Sequence, residues 1–222
     1  MPNWVTNYIE ITAQDSKQAE EILSSFKGKD SSGEEAEFSF SALVPMPENI
    51  YRGDVGKEER KKYGGNNWYD WSVKNWGTKW DVDPEAVDAR TDGDKVYLSF
   101  DTAWSCPEGI IEALADKFPN ADIICKYADE DKGHNCGIIH ICKDENIFDK
   151  DFFGGTEKGF LFALELWDES LEEYMELYEV DTIEEFCDKS QWDAAEMKRL
   201  LNETEKTADA VKEKVKKDDI ER

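Results

Sequence analysis

Two histidines and five cysteines are the residues of this chain that could bind a metal ion or attack a substrate. His134, Cys136, His140 and Cys142 lie close together, as the ligands of a zinc site often do. In one extended strand the outer two would be about 26 Å apart at about 3.3 Å per residue, too far to share an ion. Zinc is the alternative only if the chain turns sharply at Gly137. We therefore expect reduced, inward-facing cysteines and no bound metal.

Carboxylates near the tryptophans are the other candidates for chemistry. Asp70, Asp81, Asp83 and Asp101 could pair as a general acid and base. Aspartates more often cap a helix, form a turn or accept an indole hydrogen bond, so we predict structural roles. The sequence contains no phosphate-binding glycine loop, Walker lysine or zincin motif, and no Ser-His-Asp or Cys-His arrangement is apparent. A non-enzymatic protein without catalytic residues or a cofactor is expected.

Large aromatic residues are concentrated between Asn66 and Trp80, with one more at Trp104. Each ring can bury on the order of 150 to 250 Å², while its indole N–H can still donate a hydrogen bond. One interpretation is a binding surface, because exposed tryptophans are frequent hot spots. The alternative is a small packed core over one face of a sheet. The residues predicted to bind a partner are Trp68, Trp71, Trp76, Lys79 and Trp80.

An acidic helix is predicted after Gly155, because apolar residues from Phe160 to Tyr178 step by four and three positions alternately. We expect this stripe to pack on the sheet and the acids to face outward. Seven carboxylates would then occupy about 21 Å of helix, or about one per 3 Å, close to the phosphate spacing of about 3.4 Å in DNA. Mimicry of a nucleic-acid strand, a solvated face and docking of another basic partner are the competing interpretations. The seven are Glu165, Asp168, Glu169, Glu172, Glu173, Glu176 and Glu179.

The overall charge favours basic partners. The 222 residues include 52 acidic and 27 basic ones, which gives a formal net charge of −25. Such a surface repels nucleic acids and anionic membranes, so direct binding to either is not expected. The sequence also has no apolar run of about 20 residues and no basic leader. With an odd number of irregularly spaced cysteines, these features predict a protein of the reducing cytoplasm.

The elements that must position these residues follow an α+β, ferredoxin-like pattern. Strands are predicted at 3–13, 38–44, 86–90, 95–100, 121–127 and 136–142, with helices after Asp15 and from Pro107 to Phe118. This split βαβ arrangement would occupy residues 1–150, with a Trp-rich insertion at about 48–84 between its second and third strands. Residues 151–222 would form an acidic helical region, with Gly154 and Gly155 as the hinge. Its last helix, from Trp192 to about Lys217, could pack back or form a homodimer.

Four short motifs resemble those of the Api92-like, YubB-type family with a ferredoxin-like domain. They are Leu43–Pro47, Asn67–Trp71, Asn75–Trp80 and Phe100–Trp104. The resemblance covers roughly residues 3–142 and implies a ferredoxin-like fold and an origin on phages, plasmids or prophages. It carries no known activity, and the acidic helices lie outside the shared part.

These observations lead to one principal functional hypothesis. The protein is expected to inhibit a basic, nucleic-acid-handling host defence protein, in the manner of an anti-CRISPR or anti-restriction protein, through its acidic face. The alternative is a module that binds a small molecule or peptide, or an enzyme, that uses a cleft beside the tryptophans.

Overall fold

The structure, a computed structural model, describes residues 2–204 and 206. The strands within these residues are β1 (Trp4–Thr12), β2 (Gly28–Lys29), β3 (Glu35–Ala36), β4 (Asp88–Asp92), β5 (Lys95–Ala103), β6 (Asp122–Asp129), β7 (Cys136–Cys142) and β8 (Ile147–Phe152). The helices are α1 (Ser16–Ser24), α2 (Phe40–Leu43), α3 (Lys57–Tyr63), α4 (Trp68–Asn75), α5 (Glu108–Lys117), α6 (Glu157–Leu166), α7 (Leu171–Leu177) and α8 (Ile183–Ser190). A further helix covers residues 194–204.

Six strands form one antiparallel sheet in the order β4-β5-β1-β6-β7-β8. Along the chain, β1, α1, β4, β5, α5 and β6 follow the strand-helix-strand-strand-helix-strand pattern of a split βαβ fold. The spatial order β4-β5-β1-β6 is the one that this pattern requires. The predicted α+β class and ferredoxin-like antiparallel sheet are therefore confirmed.

The main hydrophobic core lies between this sheet and helices α1 and α5. Strand β1 shows how the sequence produces it, because its side chains alternate between the two faces. Val5, Ile9 and Ile11 are fully buried, and each contributes about 1.5 to 3 kcal/mol by leaving water. Tyr8 and Glu10 lie on the opposite face and are only half-buried.

Local interactions explain where several of these elements begin and turn. Asp15 caps α1 by accepting a hydrogen bond from the Gln18 amide at 2.8 Å, and it thereby satisfies one of the free donors of the first turn. Gly93 adopts a φ of 61° in the tight turn between β4 and β5. Helix α3, Lys57–Tyr63, consists almost entirely of charged residues.

The predicted second strand at 38–44 is wrong. Phe38 and Phe40 mimic strand alternation, but both rings enter the main core beside a short helix, α2. The Asp81 carboxylate accepts hydrogen bonds from the amides of Phe40 and Ser41 at 2.7 and 3.3 Å and from the Ser39 hydroxyl at 2.7 Å. These bonds satisfy the start of a helix. The second strand of the fold is β4, so the segment containing α2 to α4 lies between α1 and β4.

The sheet continues beyond its ferredoxin-like part. Strand β7 pairs with β6, and β8, which the sequence analysis did not predict, pairs with β7. Helix α6 then covers part of the sheet face opposite α1 and α5, where Ala163 packs with Ala128 and Cys136. No helix in the described part of the chain is long and apolar enough to span a membrane.

Candidate functional site

The acidic segment does not form one continuous helix, which corrects the prediction. Helix α6 ends at Leu166, and Asp168 has a φ of 55°, a left-handed conformation that cannot continue a right-handed helix. Ser170 begins α7 with a capping box, since its hydroxyl accepts from the Glu173 amide and the Glu173 carboxylate accepts from the Ser170 amide. A second left-handed residue, Glu179, with a φ of 53°, follows the C-terminal end of α7. The regular carboxylate spacing expected of a straight helix is therefore absent.

The apolar stripe from Phe160 to Tyr178 also has a different role from the predicted one. Phe160, Leu164 and Leu171 enter a separate core with Phe186 and Met197 instead of packing on the sheet. This core is built by α6, α7, α8 and the helix at 194–204. The apolar residues recur at helical spacing across the break because α6 and α7 both bury their apolar sides in this core.

Contact with the sheet comes from other residues of α6. Ala163 packs on Ala128, and the Trp167 indole N–H donates to the Ala128 carbonyl at 3.0 Å. Gly159 allows α6 to lie this close, because a Cβ at this position would be only 2.2 Å from the Phe153 carbonyl oxygen. The helical region is thus attached to β6 and β7 through α6.

Most of the seven predicted carboxylates face solvent. Glu169 is the exception, because it is half-buried and its carboxylate lies 3.1 Å from Nζ of the buried Lys132. Glu173 is exposed but holds the capping box of α7. The remaining five carboxylates are exposed and form no ion pair within residues 2–204 and 206. These five are Glu165, Asp168, Glu172, Glu176 and Glu179.

A groove of about 760 Å³ opens beside this acidic surface. Its apolar wall includes Leu161, Leu171, Met175 and Leu201. Three acids line the same groove, and they are Glu165, Glu169 and Glu172. Lys198 also lines it, and its ammonium pairs with Glu184. An apolar wall with carboxylates at its edge suits a basic amphipathic segment. Such a segment would bury its apolar side against the wall and pair its cations with the carboxylates. The last helix contributes Leu201, whereas the part predicted from residue 207 to about Lys217 lies outside the described residues.

The predicted tryptophan surface is divided between core and solvent. Trp76 is 1% exposed, and its indole N–H donates to the Val44 carbonyl at 2.9 Å. Trp71 stacks edge-on against Trp76, and Trp68 packs at the margin of the main core. Trp76 is therefore not a surface residue, which corrects its predicted role. Trp76 is buried where α4 packs closely against α5. Gly109 of α5 allows this close packing, because a Cβ there would lie 2.2 Å from the Asn75 carbonyl oxygen.

The exposed rings form a second group around Lys79. Its Nζ lies 4.1 Å from the ring centre of Trp80 and 4.5 Å from that of Trp104, distances at which an ammonium and an indole attract each other. Trp4, which was not predicted as a binding residue, lies 6.2 Å from Trp80 between ring centres. Trp4, Trp80 and Trp104 are 39%, 38% and 43% exposed. Trp4 was missed because it lies at the start of a strand, far from the others in sequence.

The histidines and cysteines have separate partners. His140 shares a hydrogen bond of 2.6 Å with Asp122, and Cys136 Sγ donates to the Gly159 carbonyl at 3.4 Å. Cys106 and Cys125 are buried with their sulfurs 3.8 Å apart. Burial raises the pKa of Cys106 well above its ordinary value, so this thiol is a poor nucleophile. No group of three metal-binding side chains occurs within residues 2–204 and 206.

Three of the four aspartates near the tryptophans have structural partners. Asp70 accepts from Asn67 and pairs with Arg60 at 3.2 Å. Asp81 holds the start of α2, and burial raises the pKa of its carboxyl despite the donors around it. Asp83 accepts from the Glu85 amide at 3.1 Å. Asp101 is exposed and has no hydrogen bond or ion pair to another described side chain.

Comparison with known families finds one match, which covers part of the sheet and helices α5 to α7. Residues 75–181 match the family described as the ferredoxin-like domain in Api92-like proteins. This part of the chain, somewhat under half of its 222 residues, is similar to the ferredoxin-like domain of Api92-like proteins. No curated protein and no solved structure matches the sequence. The family resemblance of the sequence motifs is thereby confirmed.

The matched range locates the Api92-like domain differently from the motifs. It begins at the end of α4 and ends at Asp181, after α7. Helices α6 and α7 therefore lie within the matched range, which corrects the expectation that the acidic helices lie outside the shared part. The groove beside the acidic helices is built partly from residues in the matched range and partly from residues that follow it.

Proposed function

We propose that this protein is a non-enzymatic inhibitor that binds a basic, nucleic-acid-handling protein through its acidic helices. The observation that carries the proposal is the exposed set of carboxylates on α6 and α7, which form no ion pair among the described residues. Lys198 lines the same groove, but its ammonium pairs with Glu184 instead. Unpaired charge of one sign attracts a surface of the opposite sign and accelerates association. The net charge of −25 extends this effect over the molecule.

The groove adds a reason for the partner to stay bound. Charges alone at an exposed interface contribute little after desolvation and are weakened by salt. Leu161, Leu171 and Met175 offer apolar contact beside Glu165 and Glu172. A basic amphipathic helix of the partner would use both, with its apolar side in the groove and its lysines or arginines at the acidic edge. This arrangement replaces the straight nucleic-acid-like face expected from the sequence.

The biological setting is part of the same proposal. The Api92-like resemblance points to a phage, plasmid or prophage, and a host defence effector of the CRISPR or restriction type is a basic protein whose inhibition benefits such an element. By binding the basic surface that otherwise holds nucleic acid, the acidic helices would block the effector. The site of action would be the host cytoplasm, and the last helix is the candidate surface for a homodimer.

Charge reversal tests the proposal. Glu165, Glu172 and Glu176 are exposed and hold no cap or ion pair, so a variant with all three changed to lysine is expected to keep the fold. Glu169 and Glu173 are left intact because they bind Lys132 and cap α7. The matched control changes three exposed glutamates elsewhere, Glu20, Glu35 and Glu145, to lysine.

The measurement is displacement of nucleic acid. Proteins captured from host lysate at about 50 mM salt, and released at about 500 mM, are identified and purified with their nucleic-acid ligand. The wild type and the control variant are expected to displace that ligand, and the groove variant is not. Equal displacement by all three proteins would overturn the acidic-face proposal.

A further inference from the structure

A second cleft, distant in sequence from the acidic helices, opens where β1 begins and β5 ends. It has a volume of about 460 Å³ and is lined by Trp4, Trp80, Val82, Asp83, Phe100 and Asp101, among others. The two indoles meet at an angle of 47° with their centres 6.2 Å apart. The volume is typical of sites that hold an organic molecule.

The chemistry of the lining selects a cation. The electron-rich faces of indoles attract ammonium and guanidinium groups, and Trp80 already contacts the ammonium of Lys79 at 4.1 Å. Lys79 lines the neighbouring cleft and is not part of the lining of this one. Asp83 and Asp101 add two exposed carboxylates, and no lysine or arginine lines the cleft to neutralise them.

The backbone supports a binding role for this region. Trp104, which shares Lys79 with Trp80, has a φ of 72°. A bulky residue in that conformation is strained by about 1 to 3 kcal/mol. Its amide donates to the Asn3 carbonyl at 2.9 Å, and its carbonyl accepts from the Asn135 side chain at 3.0 Å. The fold therefore holds an exposed indole in a strained position beside the cleft.

We infer that this cleft binds a lysine side chain presented by an extended peptide segment of another protein. The exposed faces of the two tilted indoles would form one wall against the alkyl chain and the ammonium, and Asp101 would pair with the charge. A single ammonium-bearing side chain does not fill 460 Å³, so the cleft has room for the flanking backbone. This site goes beyond the proposed function, since none of its lining residues belongs to the acidic helices.

The test uses the full chain and a short peptide with one central lysine. Binding is followed by the NMR signals of the indole N–H groups, which are assigned with single Trp-to-Phe variants. Saturable shifts are expected at Trp4 and Trp80 but not at the buried Trp76. Acetylation of the lysine removes its charge and changes the shape of the peptide little. The acetylated peptide is therefore expected to bind at least fivefold more weakly than the unmodified one. Equal binding of both peptides would overturn the inference.

Two further comparisons separate the cleft from general charge attraction and from a free small cation. Asp101→Asn is expected to weaken the lysine peptide about three- to fivefold, and Glu20→Gln, which removes the same charge from exposed α1, is expected to leave affinity unchanged. Equal losses in the two variants would refute a specific site. Choline is expected to bind more weakly than the peptide, because it lacks a flanking backbone. Tighter binding of choline would assign the cleft to small cations instead.

Discussion

Nζ of Lys132 lies 3.1 Å from the Glu169 carboxylate, although the Lys132 side chain is only 5% exposed. The same ammonium lies 4.2 Å from the ring centre of Trp167. Lys132 follows β6, whereas Trp167 and Glu169 belong to the junction of α6 and α7, so this contact joins the sheet to the acidic helices. It also withdraws one carboxylate from the surface that the proposed partner would meet.

Lys132→Met is expected to destabilise the protein by about 1 to 3 kcal/mol. The substitution removes the cation–indole contact and leaves Glu169 without its cationic partner, but the Glu169 side chain is 35% exposed, so water moderates the loss. Urea denaturation measures the change. Lys17→Met provides the control, since Lys17 and Glu21 form a pair with side chains 83% and 55% exposed, and less than about 0.5 kcal/mol is expected there. Equal losses would show that the Lys132 pair has no special stabilising role.

Regular periodicity made much of the fold predictable from the sequence. Strand β1 alternates, α5 has an apolar side, and Asp92-Gly93 marks a turn. Helix α2 was not predictable in this way, because its start depends on the Asp81 carboxylate 40 residues away. A side chain so distant leaves no mark on local periodicity.

The break between α6 and α7 was predictable in principle. Ser170 followed three residues later by Glu173 is the pattern of a capping box, and it marks a new helix inside the apolar stripe. The stripe itself is misleading, because two helices that share one core keep the period of one. For the tryptophans, burial of Trp76 and exposure of Trp4 depend on packing between distant elements, which the sequence does not show.

Asp81→Ala is expected to destabilise the protein by about 3 kcal/mol. The carboxylate accepts from Ser39, Phe40, Ser41 and Val82, and its loss leaves buried donors without an acceptor. Urea denaturation should show the loss, and far-ultraviolet circular dichroism should show whether the remaining helices persist. Asp83→Ala, which removes one exposed acceptor, should change stability by less than about 1 kcal/mol. A mild effect of Asp81→Ala would argue that α2 does not depend on this carboxylate.

Stability should fall as the pH rises above about 9, in part because of Cys136. Burial raises the pKa of this thiol from 9.0 to about 11. Above pH 9 the unfolded chain loses the proton while the folded protein keeps it, so ionisation favours unfolding until the folded thiol also ionises. Cys136→Ala removes this contribution. The free energy of unfolding, measured by urea at about pH 8 and about pH 10.5, should decline less in the variant, and parallel declines would contradict the assignment.

Gly159→Ala is expected to weaken the attachment of α6 to the sheet by about 3 kcal/mol. The added Cβ would lie 2.2 Å from the Phe153 carbonyl oxygen, which is backbone and cannot rotate away. Hydrogen exchange at the amides of α6 should accelerate, together with a lower urea midpoint. Gly65→Ala is the matched control, because nothing lies within 4 Å of its added Cβ. Unchanged exchange in α6 would mean that the helix moves without cost.

Replacing Trp104 with glycine should give a more stable protein than replacing it with alanine, by about 1 kcal/mol. Both variants lose the ring that contacts Lys79 and Tyr69, so their difference reports the backbone alone. At a φ of 72° glycine has no Cβ to clash, whereas alanine keeps the strain. Trp80 is also exposed but is not among the described residues with positive φ, and there alanine should be the more stable by about 0.5 to 1 kcal/mol. Urea denaturation of the four variants measures both differences. If the alanine variant is also the more stable at position 104, the backbone there is not strained. Greater stability of glycine at position 104 and of alanine at position 80 would show that the fold holds Trp104 in an unfavourable conformation beside the cleft.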